Sequence, residues 1–251
     1  MKKYSILLLI FVFAVGAFAQ KDDKQKKDEK EKVTATPTPA AISKTSTPME
    51  LAKAALAAHG GDKFKNMKTL VVSGTADVSG SPTMTFPAPF VMTFSGDKYR
   101  LEINTPFMLM KQVYDGEQTY SSIPNFQLPP LNRLGLPLLQ RIEEKGFIVA
   151  ELPEKGKKIG FRITSPEGYY TDFFLDEKTG QVKSYAAKYD FNGREITTAV
   201  EIDKLKNLEG ILIAERYAQR FEVGQNTVYA DFKAKEILVN TAIADEVFTM
   251  K

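Results

Sequence analysis

The chain has 251 residues, 43% hydrophobic and 26% charged, with a single His and neither Cys nor Trp. This is the composition of one globular domain with appended segments, and it excludes disulfide frameworks, thiolate zinc sites, iron–sulfur clusters, cysteine nucleophiles and multi-histidine metal centres. Thirty-four basic against 31 acidic side chains give a formal net charge of +3, too small to imply nucleic acid or another strongly charged partner.

Residues 1–19 read as a secretory signal peptide: a basic start at Lys2 and Lys3, an apolar run from Ser5 to Val15, and small residues at Ala17 and Ala19, with cleavage expected after Ala19. The rival, an uncleaved anchor, is short, because an apolar helix from Tyr4 to Ala19 spans roughly 24 Å against a hydrocarbon core of about 30 Å. The expected product is a soluble periplasmic or extracellular protein. Residues 20–46 follow as a linker. Its first part holds six Lys and five acids over residues 21–32, and its second is rich in Thr, Ala and Pro. Neither part has an apolar face to bury, so both are expected to be disordered.

The folded domain is expected over 47–251. Thr47, Pro48 and Glu50 form a capping-box signature with Pro at the first helical position. Leu51, Ala55, Leu56 and Ala58 supply an apolar stripe, and Gly60-Gly61 ends the helix. His59 falls in the last turn, where a surface or capping role with a cation at the dipole's negative end is expected. From Leu70 onward the period becomes two. Met84, Phe86, Ala88, Phe90, Met92 and Phe94 alternate with Thr, Pro and Val, and similar runs recur around Leu101, Phe161, Phe173, Val200, Ile213 and Phe232. These are strands of an antiparallel sheet with one apolar face. Pro87 and Pro89 place their stretch at an edge, bulge or kink. Gly96-Asp97, Asp115-Gly116, Lys178-Thr179-Gly180 and Asn192-Gly193 lie between runs, as hairpin turns do. About ten strands in meander order are expected, a number that must curl, close or split.

One stretch breaks the rhythm. Residues 123–136 are proline-interrupted and Leu-rich, and a short helix is expected from Pro137 to Lys145. An apolar connection of this length must lie against something. Two roles stay open: core that plugs the barrel, or a lid over a hydrophobic cavity. The lid residues would be Phe126, Leu128, Leu131, Leu134, Leu136, Leu138, Leu139 and Ile142. The cavity candidates are Phe86, Phe90, Met92, Phe94, Leu101, Phe107, Leu109, Phe161 and Phe173, flexible or aromatic side chains that adapt to irregular apolar ligands.

No catalytic chemistry is legible. His59 has no nucleophile elbow beside it, and the carboxylates fall in turns, on a helix surface and on polar strand faces. No phosphate loop, dinucleotide fingerprint or EF-hand spacing is present, so neither cofactor nor metal is expected. Nucleic-acid binding is not expected either, because the aromatics alternate inward while Lys and Arg are scattered.

Four segments, in order, resemble the LolA/LolB-like superfamily of periplasmic lipoprotein carriers: ALAAHGGDKFKNMKTLVVSGTADV, VYDGEQTYSS, FFLDEKTGQVKSYAAKYDFNGRE and VNTAIADEVFTM, the last contributing Asn240, Ile243, Asp245 and Phe248. The resemblance covers most of 48–251. It implies a mainly β, α+β fold: a strongly curved antiparallel half barrel of about eleven strands, with an N-terminal helix and a lid loop or helix on its concave side. It also implies a non-enzymatic carrier of lipid or lipidated protein, working as a monomer with inner- or outer-membrane transport components. Arg100, Arg133 and Arg162 are the candidates for the carriers' lid-latching arginine. The alternative reading is a structural module of the envelope with a filled barrel.

Overall fold

The computed structural model describes residues 42–43, 45–81, 84–124, 131–153, 158–191, 194–223 and 226–250. The expected signal peptide and most of the expected linker lie outside these residues, as do Phe126, Leu128 and the turn at Asn192-Gly193. Ile42 is described and packs against the main core.

Helix α1 (Pro48–Ala58) begins as its sequence requires. Thr47 Oγ1 accepts from the Glu50 N–H, and the Glu50 carboxylate accepts from the Thr47 N–H at 2.7 Å, so two otherwise orphaned donors are satisfied. Its buried face is Leu51, Ala52, Ala55 and Leu56. A short turn, α2 (Asp62–Lys65), buries Phe64. Twelve strands follow among the described residues: β1 (Thr69–Ser81), β2 (Met84–Ser95), β3 (Lys98–Asn104), β4 (Leu109–Tyr114), β5 (Thr119–Ser121), β6 (Ile148–Ala150), β7 (Gly160–Thr164), β8 (Tyr170–Leu175), β9 (Val182–Phe191), β10 (Arg194–Leu208), β11 (Ile211–Val223) and β12 (Asn226–Val239).

All twelve belong to one antiparallel sheet in the order β5–β4–β3–β2–β1–β12–β11–β10–β9–β8–β7–β6. Consecutive strands pair throughout except β5 and β6, which lie at opposite ends of the sheet, and β1 pairs with β12. The sheet is an open, curved half barrel ending at β5 and β6, each only three residues long. Short end strands leave little unpaired backbone for another chain to add to. A bulge at Ser73/Gly74 shifts the β1–β12 register. A Cβ at Gly74 would sit 2.1 Å from the Lys233 carbonyl, so only glycine allows this close crossing. Pro87 and Pro89 pair with Asp77 and Thr75 of β1, while β3 pairs with β2 only from Phe90 onward. The prolines therefore lie on a local edge, where a missing N–H costs no ladder bond.

Alternation sends Val72, Ala76, Phe90, Phe161, Phe173, Ile213 and Phe232 to the same face, where they share one core with Leu51, Ala55 and Leu138. His59 ties the end of α1 to that sheet. Its Nε2 accepts from the Val182 N–H and its Nδ1–H donates to the Leu212 carbonyl, both at 3.1 Å, and the Leu212 N–H returns a bond to the His59 carbonyl. The residue is completely buried. Of the two expected roles, surface or capping, His59 takes the capping one at the end of α1, but not as a cation: two backbone partners of opposite sense require the neutral imidazole, and burial lowers its pKa.

On the other face the C-terminal residues form a strap. The Lys68 N–H donates to Asn240 Oδ1 at 2.9 Å, Arg100 Nη1 donates to the Val247 carbonyl at 2.7 Å, and Lys98 pairs with Asp245 at 3.0 Å. Phe248 is buried beneath them. Asn240 and Phe248, quoted for the resemblance, thus serve to pin the chain end across β1–β3.

Candidate functional site

The segment between β5 and β6 returns across the inner face as two 3-10 turns, Leu131–Arg133 and Leu136–Arg141. The helix expected from Pro137 to Lys145 is replaced by the shorter 3-10 turn. Gly135 begins it at φ 66, and a Cβ there would meet the Tyr185 ring at 2.9 Å. Positive φ and contact with an aromatic ring together make glycine the fitting residue.

This segment is partly plug and partly roof. Leu138, Leu139 and Ile142 are buried in the main core, whereas Leu131 and Leu134 pack into a second cluster with Tyr99 and Leu101. Between those anchors, Leu136 and Pro137 roof a cavity of about 400 Å³. Its floor comes from Leu70 and Val72 of β1, Met92 and Phe94 of β2, Tyr185 of β9, Val200 and Ile202 of β10, and Ile213 and Tyr217 of β11. Phe64 and Met67 close one side. Such a volume, mainly apolar with a few polar groups, is that of a small-molecule site.

The mouth is polar. Lys65, Lys68, Asp97, Asn132, Gln140, Arg141 and Glu144 line it. Arg141 donates to Asp97 at 2.8 Å and to Glu144 at 2.7 Å, which joins the roof to the β2–β3 turn. Arg133 approaches Asp97 at 3.7 Å and Glu167 at 3.5 Å. Asn132 Nδ2 donates to the Asp97 carbonyl at 2.7 Å, and Gln140 Nε2 to the Phe64 carbonyl at 2.7 Å. Lys65 holds Glu143 at 2.5 Å; that bond raises the ammonium pKa and lowers the carboxyl pKa. Most of these partners are half-exposed, so each ion pair resists opening by only about 1 kcal/mol or less.

Of the sequence-derived cavity residues, Met92 and Phe94 line the cavity. Phe90, Phe161 and Phe173 are buried in the main core and Leu101 in the second cluster. Phe86 lies on the local edge of β2 with its ring edge-on to Phe107 at 5.4 Å, and Phe107 and Leu109 are exposed, at 73% and 48%. Of the latch candidates, Arg133 does not line the cavity but approaches Asp97 of its mouth. Arg100 serves the C-terminal strap, and Arg162 forms a two-pronged pair with Asp172 at 2.6 and 2.7 Å. Sequence reasoning passed over Arg141, Tyr185 and Tyr217. The tyrosines were legible in principle, since Tyr185 alternates with buried Ala187 and Tyr189, and Tyr217 with inward-facing residues of β11. Among the described residues, no grouping of three His, Asp or Glu side chains could hold a metal ion.

No protein-family model matches the sequence, and no curated protein sequence matches it. Solved structures do match in shape. A LolA superfamily protein from Nitrosomonas europaea superposes with a TM-score of 0.53 at 11% identity, over 82% of this chain and 98% of that one. A DUF1329 family protein from Desulfovibrio piger gives 0.48 at 10% identity, over 80% and 95%. A putative outer membrane lipoprotein-sorting protein domain from Vibrio parahaemolyticus gives 0.45 at 11% identity, over 80% and 95%. The fold is LolA-like.

Proposed function

We propose that this protein is an exported, non-enzymatic carrier that takes one acyl chain, of a lipid or a lipidated protein, into the cavity beneath Leu136 and Pro137. The observation that carries this reading is the cavity itself, apolar on floor and roof and rimmed at its open mouth by weak polar contacts. A structural module with a filled barrel would not need it. The signal peptide over 1–19, with cleavage after Ala19, and the linker over 20–46 belong to the same proposal, with the periplasm as the working compartment. Delivery is to the outer membrane, by a monomer acting with membrane transport components; the LolA-like fold supports this part by analogy alone.

Size and energy restrict the cargo. At about 30 Å³ per water-sized group, 400 Å³ admits roughly thirteen methylene-sized groups, which is one chain. Burying it contributes about 10 kcal/mol at most, at about 0.8 kcal/mol per methylene. Release then requires competition from the protein. Leu136 and Pro137 supply it by closing on the floor when the chain leaves, while Leu138, Leu139 and Ile142 stay anchored. In the test, the mature chain binds the fluorescent apolar dye N-phenylnaphthylamine, one equivalent of methyl myristate displaces it, and Met92→Trp, which fills the void, abolishes uptake while the protein still melts cooperatively. No uptake by the wild type, or unaltered uptake by Met92→Trp, would reject the cavity as the site.

A further inference from the structure

An acyl chain in the cavity leaves its head at the open mouth, because a polar or charged group carried below Leu136 and Pro137 would exchange water for an apolar floor. Five charged side chains line that mouth, Lys65, Lys68 and Arg141 against Asp97 and Glu144. Four of them are already neutralised. Arg141 donates to Asp97 at 2.8 Å and to Glu144 at 2.7 Å, and Lys65 is held by Glu143 at 2.5 Å. The neutral amides are engaged as well, Gln140 Nε2 with the Phe64 carbonyl and Asn132 Nδ2 with the Asp97 carbonyl, both at 2.7 Å. Lys68 is the exception: its ammonium has neither an ion pair nor a hydrogen bond among the described residues. Its backbone is nevertheless fixed on both sides. The Lys68 N–H donates to Asn240 Oδ1 at 2.9 Å, and its carbonyl accepts from the Gly96 N–H at 3.1 Å. With Met67 and Thr69 beside it on the lining, an exposed and uncompensated cation stands at the rim of an apolar cavity on an immobile stretch of chain.

Resting on the acyl-chain reading above, we propose that the ligand is a single-chain amphiphile with an anionic head, a carboxylate or a phosphate, and that Lys68 is the residue that takes this head. The methylenes go to the floor while the head stays in the wet mouth, where a charge-assisted hydrogen bond to the ammonium adds to the burial of the chain. A cationic head meets like charge at Lys68, and the carboxylates that could hold it, Asp97 and Glu144, are already engaged by Arg141. A neutral ester gains only the burial of its chain. The mouth therefore sorts amphiphiles of equal chain length by the sign of the head. The discrimination is several-fold and salt-sensitive, because the ammonium is exposed.

The test uses the mature chain loaded with N-phenylnaphthylamine at about pH 8, where a carboxylic acid is ionised, and four competitors of one chain length: myristate, tetradecyl phosphate, methyl myristate and tetradecyltrimethylammonium. In low salt both anions should displace the dye from wild type at about five- to tenfold lower concentration than the ester, and the cation only at higher concentration. The better of the two anions tells a free fatty acid from a single-chain phosphate ester. The advantage of the anions should shrink in about 0.5 M salt. Lys68→Gln should bring the ratio of anion to ester affinity to about one, Lys68→Arg should keep it, and Lys68→Glu should reverse it in favour of the cation. Because each ratio is read within one protein, a change of fold or cavity common to all four competitors cancels. Equal affinity of wild type for anions and ester, or a wild-type ratio in Lys68→Gln, would overturn the inference and leave the carrier reading standing. Failure of all four competitors to displace dye from the wild type would overturn the carrier reading as well.

Discussion

The inner face has two regions built from the same alternating pattern, and only one of them is filled. On the β6–β8 wing, α1 covers the sheet, and Phe161, Ile163 and Phe173 are wholly buried, with the two Phe rings stacked at 5.1 Å. Under the 3-10 turn, Met92, Phe94, Tyr185 and Tyr217 face a void. The strands do not differ in kind. The covering element does: an eleven-residue helix with an apolar stripe can lay Leu51, Ala55 and Leu56 into the sheet, whereas a six-residue turn interrupted by Pro137 and started by Gly135 has only Leu136 and Pro137 to offer over the floor. Packing and binding are therefore decided by the connection laid across the sheet, more than by the sheet residues.

The largest expected effect that sharpens this contrast is in the filled wing. Phe161→Ala should destabilise by about 3–5 kcal/mol because the vacated volume has nowhere to collapse. Phe94→Ala, whose side chain already borders the void, should cost less than half of that in urea unfolding. Equal losses would mean that the two regions are packed alike.

Gly135→Ala should cost about 1–3 kcal/mol, since the residue would have to hold a positive φ with its methyl against the Tyr185 ring. The same variant should reduce dye uptake, because relief of the contact displaces either the roof or Tyr185. A variant with wild-type melting temperature and uptake would remove Gly135 from the account of the roof.

His59 gives a pH effect confined to the α1 side. Its folded pKa lies below the unfolded value, so the unfolded chain takes up the extra proton as pH falls. The stability due to neutral His59 is whole above about pH 6.5 and is lost progressively below it. Wild type should therefore lose stability as pH falls below about 6.5, before the carboxylates titrate, and His59→Gln should flatten that slope while being less stable at the upper end. Parallel slopes would place the titration elsewhere.

The smallest thermodynamic effect is at the mouth. Arg141→Gln should alter stability by about 1 kcal/mol or less, yet speed dye entry in stopped-flow mixing, because it removes the bond from the roof to Asp97 at 2.8 Å. Unchanged entry would assign the latch to Arg133 and Asn132.

Much of the architecture could be read from residues alone. The Thr47–Glu50 box, the inward parity of Met92 and Phe94, and the Asp115-Gly116 and Lys178-Thr179-Gly180 turns all express local rules, and local rules survive folding. β5 and β6 escaped because three residues are too few to show a period of two. The short helix expected after Pro137 became a 3-10 turn because tertiary anchoring by Leu138 and Leu139 set its pitch. Phe161 and Met92 were indistinguishable in sequence, since burial against α1 and exposure to a void depend on what arrives from elsewhere in the chain. Arg141 gave no signal because its partner Asp97 lies 44 positions away.

The most direct test is mass spectrometry of an organic extract of the mature protein, purified from a periplasm without detergent and set beside a mock purification. One acyl-chain lipid per protein molecule, absent from the mock and lost in Met92→Trp, is the expected result. An extract with no lipid, from a protein that also takes up no dye, would contradict the carrier reading and leave a filled structural module in its place.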